Sequence, residues 1–363
     1  MIKVLVIITT SFVPYGGLTS VMMNLYRQID KEKIHMDFAS TNEELDQDLA
    51  EELKNYGSKY FSLGNRKKNL LRYRRNLLNV MKNGGYDVVH VNSNSSTAVL
   101  ELSLAKKLGI KKRIVHNHTS KCNHRILNKL CSSFFYRSYS DAIACSRKAG
   151  EWIFGRHDFK ILNNGIETSR YQFSYDNRMM IRNDLGIADT TIVLGHVGKI
   201  YKPKNHQFLI DIFYDYHKKN SDSVLILVGD GDLRNEIESK VAKLNLANYV
   251  YFVGMQMHPE LYLSAMDYFV FPSIWEGMPL SVIEAQASGL KCLISDTIDN
   301  DVCITDSVHT MSITSGTQNW IDAITTYSKD SRKDISVNNI QTIKNAGYDA
   351  KYNSSVLEKI YLT

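Results

Sequence analysis

The chain has 363 residues, of which 44% are hydrophobic and 23% charged. This composition excludes a disordered chain, and the length exceeds that of a typical single domain and predicts two. Residues 1–168 hold 26 Lys and Arg against 15 Asp and Glu, a net charge of +11, whereas residues 169–363 hold 18 against 23, a net charge of −5. The basic half predicts an anionic partner, and its charge alone leaves open a membrane surface, a phosphorylated acceptor or nucleic acid.

Short apolar runs alternate with amphipathic stretches along the chain, which predicts βαβ units and mainly parallel sheets. The expected strands of the first half lie near residues 3–9, 34–39, 58–62, 87–91, 112–116, 141–145 and 159–162. Those of the second half lie near residues 192–197, 224–228, 249–253, 268–271 and 292–294. A last helix is expected at about 348–362, after a polar stretch at 328–345.

The amino terminus is predicted to be the first buried strand and not a signal peptide, because it lacks a cationic leader and a cleavage site. No apolar run approaches the ~20 residues that span a bilayer. Five cysteines without a CxxC spacing favour a reducing compartment. We therefore expect a cytoplasmic protein whose membrane contact, if any, is peripheral.

Two places in the first half have candidate binding residues. Gly16 and Gly17 join the first strand to an amphipathic helix, and paired glycines let the backbone approach a ligand. His116 and His118 end another strand and fall on the same face of it. A zinc pair is the alternative for them, but no third ligand has suitable spacing; we expect His90 to be structural.

Residues 66–81 combine cations with leucines at helical spacing. The cations are Arg66, Lys67, Lys68, Arg72, Arg74 and Arg75. The pattern fits either weak, salt-sensitive binding to an anionic membrane or an ordinary helix packed through its leucines. Nucleic acid is not expected, because no groove-reading or base-stacking module is present.

Between the two series of strands, Asn163–Glu167 has turn signals, and we expect a domain junction near residue 168. The segment after the next strand contains Gly198, Lys199 and Lys204 and precedes a helix expected to begin near Pro203. Glycine lets the backbone approach a phosphate, and lysines near a helix start add positive charge to the positive end of its dipole. The segment therefore predicts a diphosphate site.

The triplet Asp230-Gly231-Asp232 follows the strand at 224–228 and offers a rival hypothesis, a metal-binding Asp-x-Asp. In its context we expect Asp232 to be a helix N-cap instead. The same triplet pattern occurs at Asp46–Asp48 and Asp299–Asp301, so the pattern alone carries little weight.

The most specific stretch runs from Phe271 to Gly289. A buried strand leads to a loop carrying Glu276 and then to a helix carrying Glu284, with Pro279 expected at the first helical position. Gly289 suits the end of that helix. Two carboxylates near one helix start are suited to hold the hydroxyls of one ligand at two places.

This stretch resembles the Glu-x7-Glu motif of retaining nucleotide-sugar glycosyltransferases of family 4. The resemblance implies an α/β chain with the GT-B fold, two Rossmann-like domains facing across a cleft. It implies an acceptor-binding domain of residues 1–168 plus 346–363, with the last helix returning to it. The donor-binding domain would comprise residues 169–345.

The resemblance also assigns roles to single residues. Glu276 and adjacent loop amides would hold the donor sugar, and Glu284 the ribose. The implied catalytic residues are His118, Lys199, Lys204 and Glu276, with Lys199 in place of the usual Arg. The implied donor-binding residues are Gly16, Gly17, Gly198, Asn205, Gly277, Met278, Pro279, Leu280, Ser281 and Glu284.

The activity implied is transfer of a sugar from a nucleoside diphosphate sugar, a UDP-sugar above all, to an acceptor hydroxyl with retention at the anomeric carbon. Two lysines and the helix amides could do the work often given to Mg²⁺, so we expect metal-independent catalysis without a cofactor. The resemblance implies a lipid-linked or oligosaccharide acceptor and a place in bacterial exopolysaccharide or capsule biosynthesis at the inner membrane face. A nucleotide-sugar 2-epimerase or a GT-B phosphorylase would share the architecture. A non-enzymatic membrane adaptor would use the basic half alone.

Overall fold

The computed structural model describes residues 1–14, 16–122, 124–325 and 331–363. The chain forms two compact units. Unit 1 comprises Met1–Gly165 with Gly347–Thr363, and unit 2 comprises Ile166–Ala346. Tyr15 in the predicted glycine loop and residues 328–330 of the expected polar stretch lie outside the described residues.

In the described part of unit 1 the chain forms one parallel sheet. Its strands are β1 Ile2–Ile8, β2 Ile34–Ser40, β3 Tyr60–Ser62, β4 Val88–Ser93, β5 Lys112–Asn117, β6 Asp141–Ala144 and β7 Lys160–Ile161. The strand order is β3-β2-β1-β4-β5-β6-β7, and every adjacent pair is parallel. Val4 to Ile8 are fully buried, as expected of a strand covered on both faces.

The helices that follow these strands are α1 Gly17–Gln28, α2 Gln47–Asn55, α3 Leu70–Gly84, α4 Val99–Lys107, α5 Arg125–Phe135 and α6 Arg147–Phe154. One core cluster packs the four helices α3, α4, α5 and α6 against the sheet. Their contributions are Tyr73, Leu102, Phe135 and Phe154 respectively. These four helices therefore cover the same face. A short 3-10 turn, Ser96–Ala98, follows β4.

Unit 2 repeats the architecture. Its strands are β8 Ile192–Val197, β9 Ser223–Val228, β10 Val250–Gly254, β11 Tyr268–Phe271, β12 Lys291–Ser295 and β13 Val308–Met311. Its described helices are α7 Tyr175–Asp184, α8 His206–Lys219, α9 Arg234–Lys243, α10 Pro259–Ala265, α11 Leu280–Ala287, α12 Gln318–Thr325 and α13 Arg332–Asn345. The strands pair in parallel in the order β10-β9-β8-β11-β12-β13.

The final helix, α14 Ala350–Leu362, packs in unit 1 against α1. Asn353 Nδ2 donates to the Asn163 carbonyl oxygen at 2.8 Å, and the Tyr361 hydroxyl lies 2.6 Å from His90 Nδ1. Because His90 is fully buried on β4, this contact anchors the helix to the sheet. His90 is thus a packing residue, as expected.

Each sheet has one point at which the chain reverses its direction of winding, between β1 and β4 in unit 1 and between β8 and β11 in unit 2. In open parallel sheets, ligands bind at the carboxyl ends of the strands at such switch points. The loops after β8 and β11 carry the predicted diphosphate and Glu276 segments. The fold therefore brings these segments to one edge of unit 2.

Three local predictions were wrong. Strand β13 was not expected, because its sequence Val-His-Thr-Met is short and half polar. The helix expected near Pro203 begins at His206; Lys202–Lys204 is instead a 3-10 turn ended by Asn205, which adopts a left-handed conformation with φ of 57°. Pro279 is the N-cap residue of α11 and not its first helical residue.

Candidate functional site

The centre of the candidate site in unit 2 is an ion pair between two loops. Lys204 Nζ, after β8, lies 3.0 Å from Glu276 Oε1, after β11. Apart from this ion pair, Glu276 Oε1 is buried without a hydrogen-bond partner among the described residues, so it can still accept a hydrogen bond from a ligand. Both side chains are largely buried, at 11% and 14% exposure.

Backbone contacts fix the two loops against each other. Ile274 N donates to the Pro203 carbonyl oxygen at 2.8 Å, and Asn205 Nδ2 donates to the Pro272 carbonyl oxygen at 3.1 Å. The Lys204 ammonium also lies 4.2 Å from the centre of the Phe271 ring, a favourable cation–π distance. The ion pair is therefore pre-organised before any ligand binds.

Burial lowers the pKa of Lys204, and the negative charge of Glu276 opposes that shift. A buried cation placed at a sheet switch point, beside a carboxylate with an accepting oxygen, is suited to an anionic ligand that also carries hydroxyls.

Glu284 is buried within α11 and belongs to a second polar group. Burial raises the pKa of its carboxyl to about 7, although a hydrogen bond from the Tyr171 hydroxyl opposes that shift. Arg170, next in the chain to Tyr171, pairs with Glu260 Oε2 at 3.0 Å. Glu284 is thus held by side chains from the segment before α7, which sequence reasoning did not assign.

The loop from Gly277 to Ser281 leads into α11. Gly277 is exposed, Met278 and Ser281 are half-buried, and Pro279 is buried. The helix has no side-chain cap at its start, so the amides of Leu280 and its neighbour are left without intrahelical partners. These donors point beyond the carboxyl end of β11, where the positive end of the helix dipole favours negative charge.

Lys199 occupies a different environment from Lys204. Its side chain is 57% exposed, and its ammonium lies 3.8 Å from Asp232, which is 86% exposed. The prediction that Asp232 caps α9 was wrong. The N-cap residue of α9 is Leu233, and no side chain caps the helix. The physical reason is that an intervening turn delays the helix until Arg234.

Glycines let the β9–α9 loop pass against the β8 loop. A Cβ on Gly229 would lie 2.1 Å from the Gly198 carbonyl oxygen, and one on Gly231 would lie 2.3 Å from that of Ile200. The amide of Gly198 donates to Val228 O at 2.9 Å. That amide is therefore engaged in holding the loop, although Gly198 still leaves space for the Lys204 side chain.

In unit 1, His118 follows β5 with both ring nitrogens engaged. Its Nε2 lies 2.8 Å from Asn92 Oδ1 at the end of β4, and its Nδ1 lies 3.1 Å from Asn164 Oδ1. The ring centres of His116 and His118 are 4.0 Å apart, as the strand alternation predicts. Burial lowers the pKa of His118 to about 4, so the ring is neutral at pH 7 and has a single N–H. It therefore donates to one of the two amides, and the other amide turns its NH2 group toward the remaining ring nitrogen.

The glycine loop after β1 opens α1. Gly16 is the N-cap residue of α1, which has no side-chain cap. A Cβ on Gly16 would lie 3.2 Å from the Val13 carbonyl oxygen, whereas one on Gly17 would meet nothing within 4 Å. Close packing therefore restricts Gly16 alone; Gly17 is exposed.

The cationic segment is partly structural. Arg66 Nη1 pairs with the fully buried Glu101 at 3.0 Å, so Arg66 is not a free surface cation. The buried positions of α3 are Tyr73, Leu77 and Met81, whereas Leu70 and Leu71 are exposed. The alternative of a helix packed through its leucines therefore holds only in part. The exposed cations are Lys67, Lys68, Arg72, Arg74 and Arg75.

Over the described ranges, no group of three or more His, Cys, Asp or Glu side chains could hold a metal ion. Of the Asp-Gly-Asp carboxylates, Asp230 pairs with Arg234 at 3.0 Å and Asp232 with Lys199. In the same described part of the chain, no helix is both long and apolar enough to cross a bilayer.

Sequence reasoning missed several polar partners. Tyr171 and Asn92 carry no motif, and Asn164 was noted only as part of the turn at 163–167. Only the fold brings them to Glu284 and His118. Ser273, in the loop before Glu276, is fully buried and its hydroxyl has no hydrogen-bond partner among the described residues. Its position directly after Pro272 was the one available signal.

Comparison with known proteins gives two family-model matches. Residues 177–342 match the model of glycosyl transferases group 1, and residues 15–170 match that of glycosyltransferase family 4. EpsF of Bacillus subtilis, a provisionally assigned glycosyltransferase, is 30% identical over 363 residues, covering 95% of this chain and 93% of EpsF.

A more distant relative is the Escherichia coli UDP-Gal:alpha-D-GlcNAc-diphosphoundecaprenol alpha-1,3-galactosyltransferase, 26% identical over 63% of this chain and 62% of the relative. Among solved structures, Anabaena HepE in complex with UDP and glucose superimposes with a TM-score of 0.77 at 18% identity, over 100% of both chains. WaaG, a glycosyltransferase involved in lipopolysaccharide biosynthesis, gives 0.67 at 15% identity, over 98% of this chain and 99% of WaaG. At these identities the structural likeness establishes the GT-B fold alone.

Proposed function

Because the chain belongs to the group 1 glycosyl transferases of family 4, we propose that it transfers a sugar from a UDP-sugar to an acceptor hydroxyl with retention at the anomeric carbon. The observation that carries this proposal is the buried pair of Lys204 and Glu276 at the switch point of unit 2. A UDP-sugar has the two properties that this pair suits, an anionic diphosphate and sugar hydroxyls.

We assign Lys204 to the diphosphate and Glu276 to a hydroxyl of the donor sugar. The amides from Gly277 to Ser281 add hydrogen-bond donors at the start of α11, and Glu284 accepts from the ribose hydroxyls. Lys199 is exposed on the loop after β8, which also contains Gly198 and Asn205. It supplies a second positive charge near the phosphates. Each charge-assisted hydrogen bond contributes about 1.5–3 kcal/mol net.

In the proposed reaction the bond between the anomeric carbon and the diphosphate oxygen breaks, and a bond from the same face of that carbon to the acceptor oxygen forms. The acceptor proton passes to the departing phosphate, so the leaving group serves as base. Lys204 stabilises the negative charge that develops on the diphosphate, and such fixed charges are among the largest contributions to catalysis. We propose that this charge makes a metal ion unnecessary.

For unit 1 we propose acceptor binding. We retain His118 as a catalytic residue and Gly16 and Gly17 as donor-binding residues, and we expect substitution of each to lower transfer. A lipid-linked or oligosaccharide acceptor in exopolysaccharide or capsule biosynthesis is supported by relatives named for diphosphoundecaprenol-linked substrates. The exposed cations Lys67, Lys68, Arg72, Arg74 and Arg75 would attract an anionic membrane surface, each by about 1 kcal/mol at low salt.

The test begins with thermal stabilisation by a panel of nucleoside diphosphate sugars, each with and without EDTA. A UDP-sugar that stabilises the chain equally in EDTA supports metal-independent binding, and loss of the effect in EDTA contradicts it. The best donor is then incubated with an acceptor alcohol, and NMR of the product gives the anomeric configuration. Inversion at that carbon, or conversion of the donor without an acceptor, would contradict the proposed reaction.

A further inference from the structure

Helix α5 turns an apolar stripe outward. Ile126, Leu127, Leu130 and Phe134 are 80%, 50%, 70% and 71% exposed. At about 100° of rotation per residue, these positions fall in one stripe roughly 100° wide. A surface helix normally turns such a stripe toward the core, and α5 does the opposite.

The other side of α5 holds the helix in place. Phe135 is its one buried residue and belongs to the core cluster of unit 1. Asn128 Oδ1 accepts from Ser96 N at 2.7 Å, and the Asn128 carbonyl oxygen accepts from the Ser96 hydroxyl at 2.5 Å. One face of α5 therefore packs against unit 1, and the apolar stripe on its other face remains exposed.

The stripe lies in strongly basic surroundings. No Asp or Glu occurs from Thr119 to Ser140. Arg125 and Lys129 flank the stripe, and Arg137 follows the helix; all three are exposed. The apolar stripe thus lies in a segment whose charged side chains are all cationic.

A second exposed apolar pair follows a residue that is hydrogen-bonded to the same 3-10 turn. Leu70 and Leu71, at the start of α3, are 51% and 78% exposed. Arg66, just before them, donates to the Thr97 carbonyl oxygen at 2.6 Å, and Thr97 is the chain neighbour of the Ser96 that holds α5. The residues leading into α3 and helix α5 are thereby both hydrogen-bonded to one short segment.

We propose that α5 docks on an anionic bilayer, with Ile126, Leu130 and Phe134 inserted among the acyl chains and Arg125 and Lys129 on the headgroups. This goes beyond electrostatic attraction by the cations of residues 67–75, because it assigns binding to apolar insertion. Amphipathic helices bind lipid interfaces through this combination of buried apolar area and basic residues.

The charge pattern favours a bilayer over a second copy of the chain. Paired α5 helices would bring two sets of Arg125, Lys129 and Arg137 together without a single acidic residue in the segment to offset them. Like charges held close destabilise an interface. Anionic lipid headgroups supply the missing negative charge.

The test is co-sedimentation of the full chain with vesicles of phosphatidylcholine alone and of phosphatidylcholine mixed with phosphatidylglycerol. The chain is expected to bind the mixed vesicles, and I126S/L130S/F134S is expected to lower partitioning about tenfold or more. The matched control is V337S, at a residue that is 48% exposed on α13 of unit 2, which should change nothing. Equal binding by I126S/L130S/F134S and the unchanged chain would overturn the proposal.

Because the replaced side chains are exposed, thermal unfolding should not change. If I126S/L130S/F134S does unfold more easily, the variant F134W gives a separate readout, since lipids brominated in their acyl chains should quench its added fluorescence. Absence of quenching in bound F134W would overturn insertion. A dimer in sedimentation velocity that the serine substitutions dissociate would overturn it in favour of self-association.

Bilayer docking by α5 and sugar transfer by unit 2 can be tested independently of each other. The donor residues belong to unit 2, so K204M should abolish transfer and leave vesicle binding unchanged.

Discussion

Lys204 Nζ and Glu276 Oε1 lie 3.0 Å apart, although β9 and β10 lie between their strands along the chain. The two strands, β8 and β11, are neighbours in the sheet because the winding reverses between them. This topology places a buried cation and a buried carboxylate at the same edge. The proposed donor chemistry depends on that pairing.

Replacing Glu276 by Leu should destabilise the chain by about 3–5 kcal/mol, because it leaves a buried ammonium without its opposite charge. The double variant K204M/E276L should regain most of that loss, since neither charge remains. Equilibrium unfolding in urea measures both. A double variant whose loss equals the sum of the two single losses would contradict the ion pair, and K202M, at an exposed lysine, is the control.

Glu284 should make stability fall as pH rises. Burial raises the pKa of its carboxyl in the folded state to about 7 from 4.5, so the folded state binds more protons than the unfolded state between these values. Stability is then present below pH 4.5 and is lost as pH rises through 7, by about 3 kcal/mol in total. E284Q should remove this loss.

The measurement for Glu284 is the difference in unfolding free energy between E284Q and the unchanged chain at pH 5 and pH 8. The difference should shift in favour of E284Q at the higher pH. A constant difference would mean that Glu284 titrates alike in both states. E51Q, at an exposed position of α2, should show no such shift.

The histidines of β4 and β5 should lower the stability of the chain as pH falls, which is the opposite of the effect of Glu284. Burial lowers the pKa of His90 to about 3 and holds that of His116 well below its usual value. A depressed histidine pKa contributes stability above about pH 6.5 that is lost as pH falls toward the folded value. H116F removes two buried ring nitrogens that have no partner in the described structure.

We therefore expect H116F to move the acid-unfolding midpoint to lower pH by about half a unit. Circular dichroism during an acid titration measures the midpoint. A midpoint that stays fixed would show that another group controls acid unfolding, and H157F, at an exposed histidine, serves as the control.

Arg332 should be among the most costly residues of unit 2 to replace. Its guanidinium donates to the carbonyl oxygens of Leu263, Ser264, Met266 and Ser288. R332M leaves these carbonyls without donors and should cost about 3–5 kcal/mol. Thermal unfolding checks this, with the exposed neighbour Lys333 replaced in K333M as the control; equal effects of the two variants would contradict the account.

Much of the fold could be predicted from the sequence, because buried parallel strands have continuous apolar runs. Each strand expected from such a run has a counterpart in the structure. Strand β13 was not predicted because Val308–Met311 is a short edge strand with two polar residues at its centre and no continuous apolar run. The starts of α8 and α9 were misplaced because turns at Asn205 and before Arg234 depend on neighbouring loops, not on local propensity.

The candidate site was less predictable. The motif around Glu276 is local and could be recognised, whereas the Lys204 contact depends on strand order. The partners Tyr171 for Glu284 and Asn92 for His118 lie far away in sequence and carry no motif. The single misassigned cation, Arg66, had a buried partner in Glu101 that no helical periodicity reveals.

The most direct test of the central claim is calorimetric titration of UDP into the full chain in the presence of EDTA, compared with K204M and K202M. We expect saturable binding to the unchanged chain and to K202M, with a dissociation constant at least about tenfold higher for K204M. Equal affinity of K204M and the unchanged chain would contradict the assignment of Lys204 to the diphosphate.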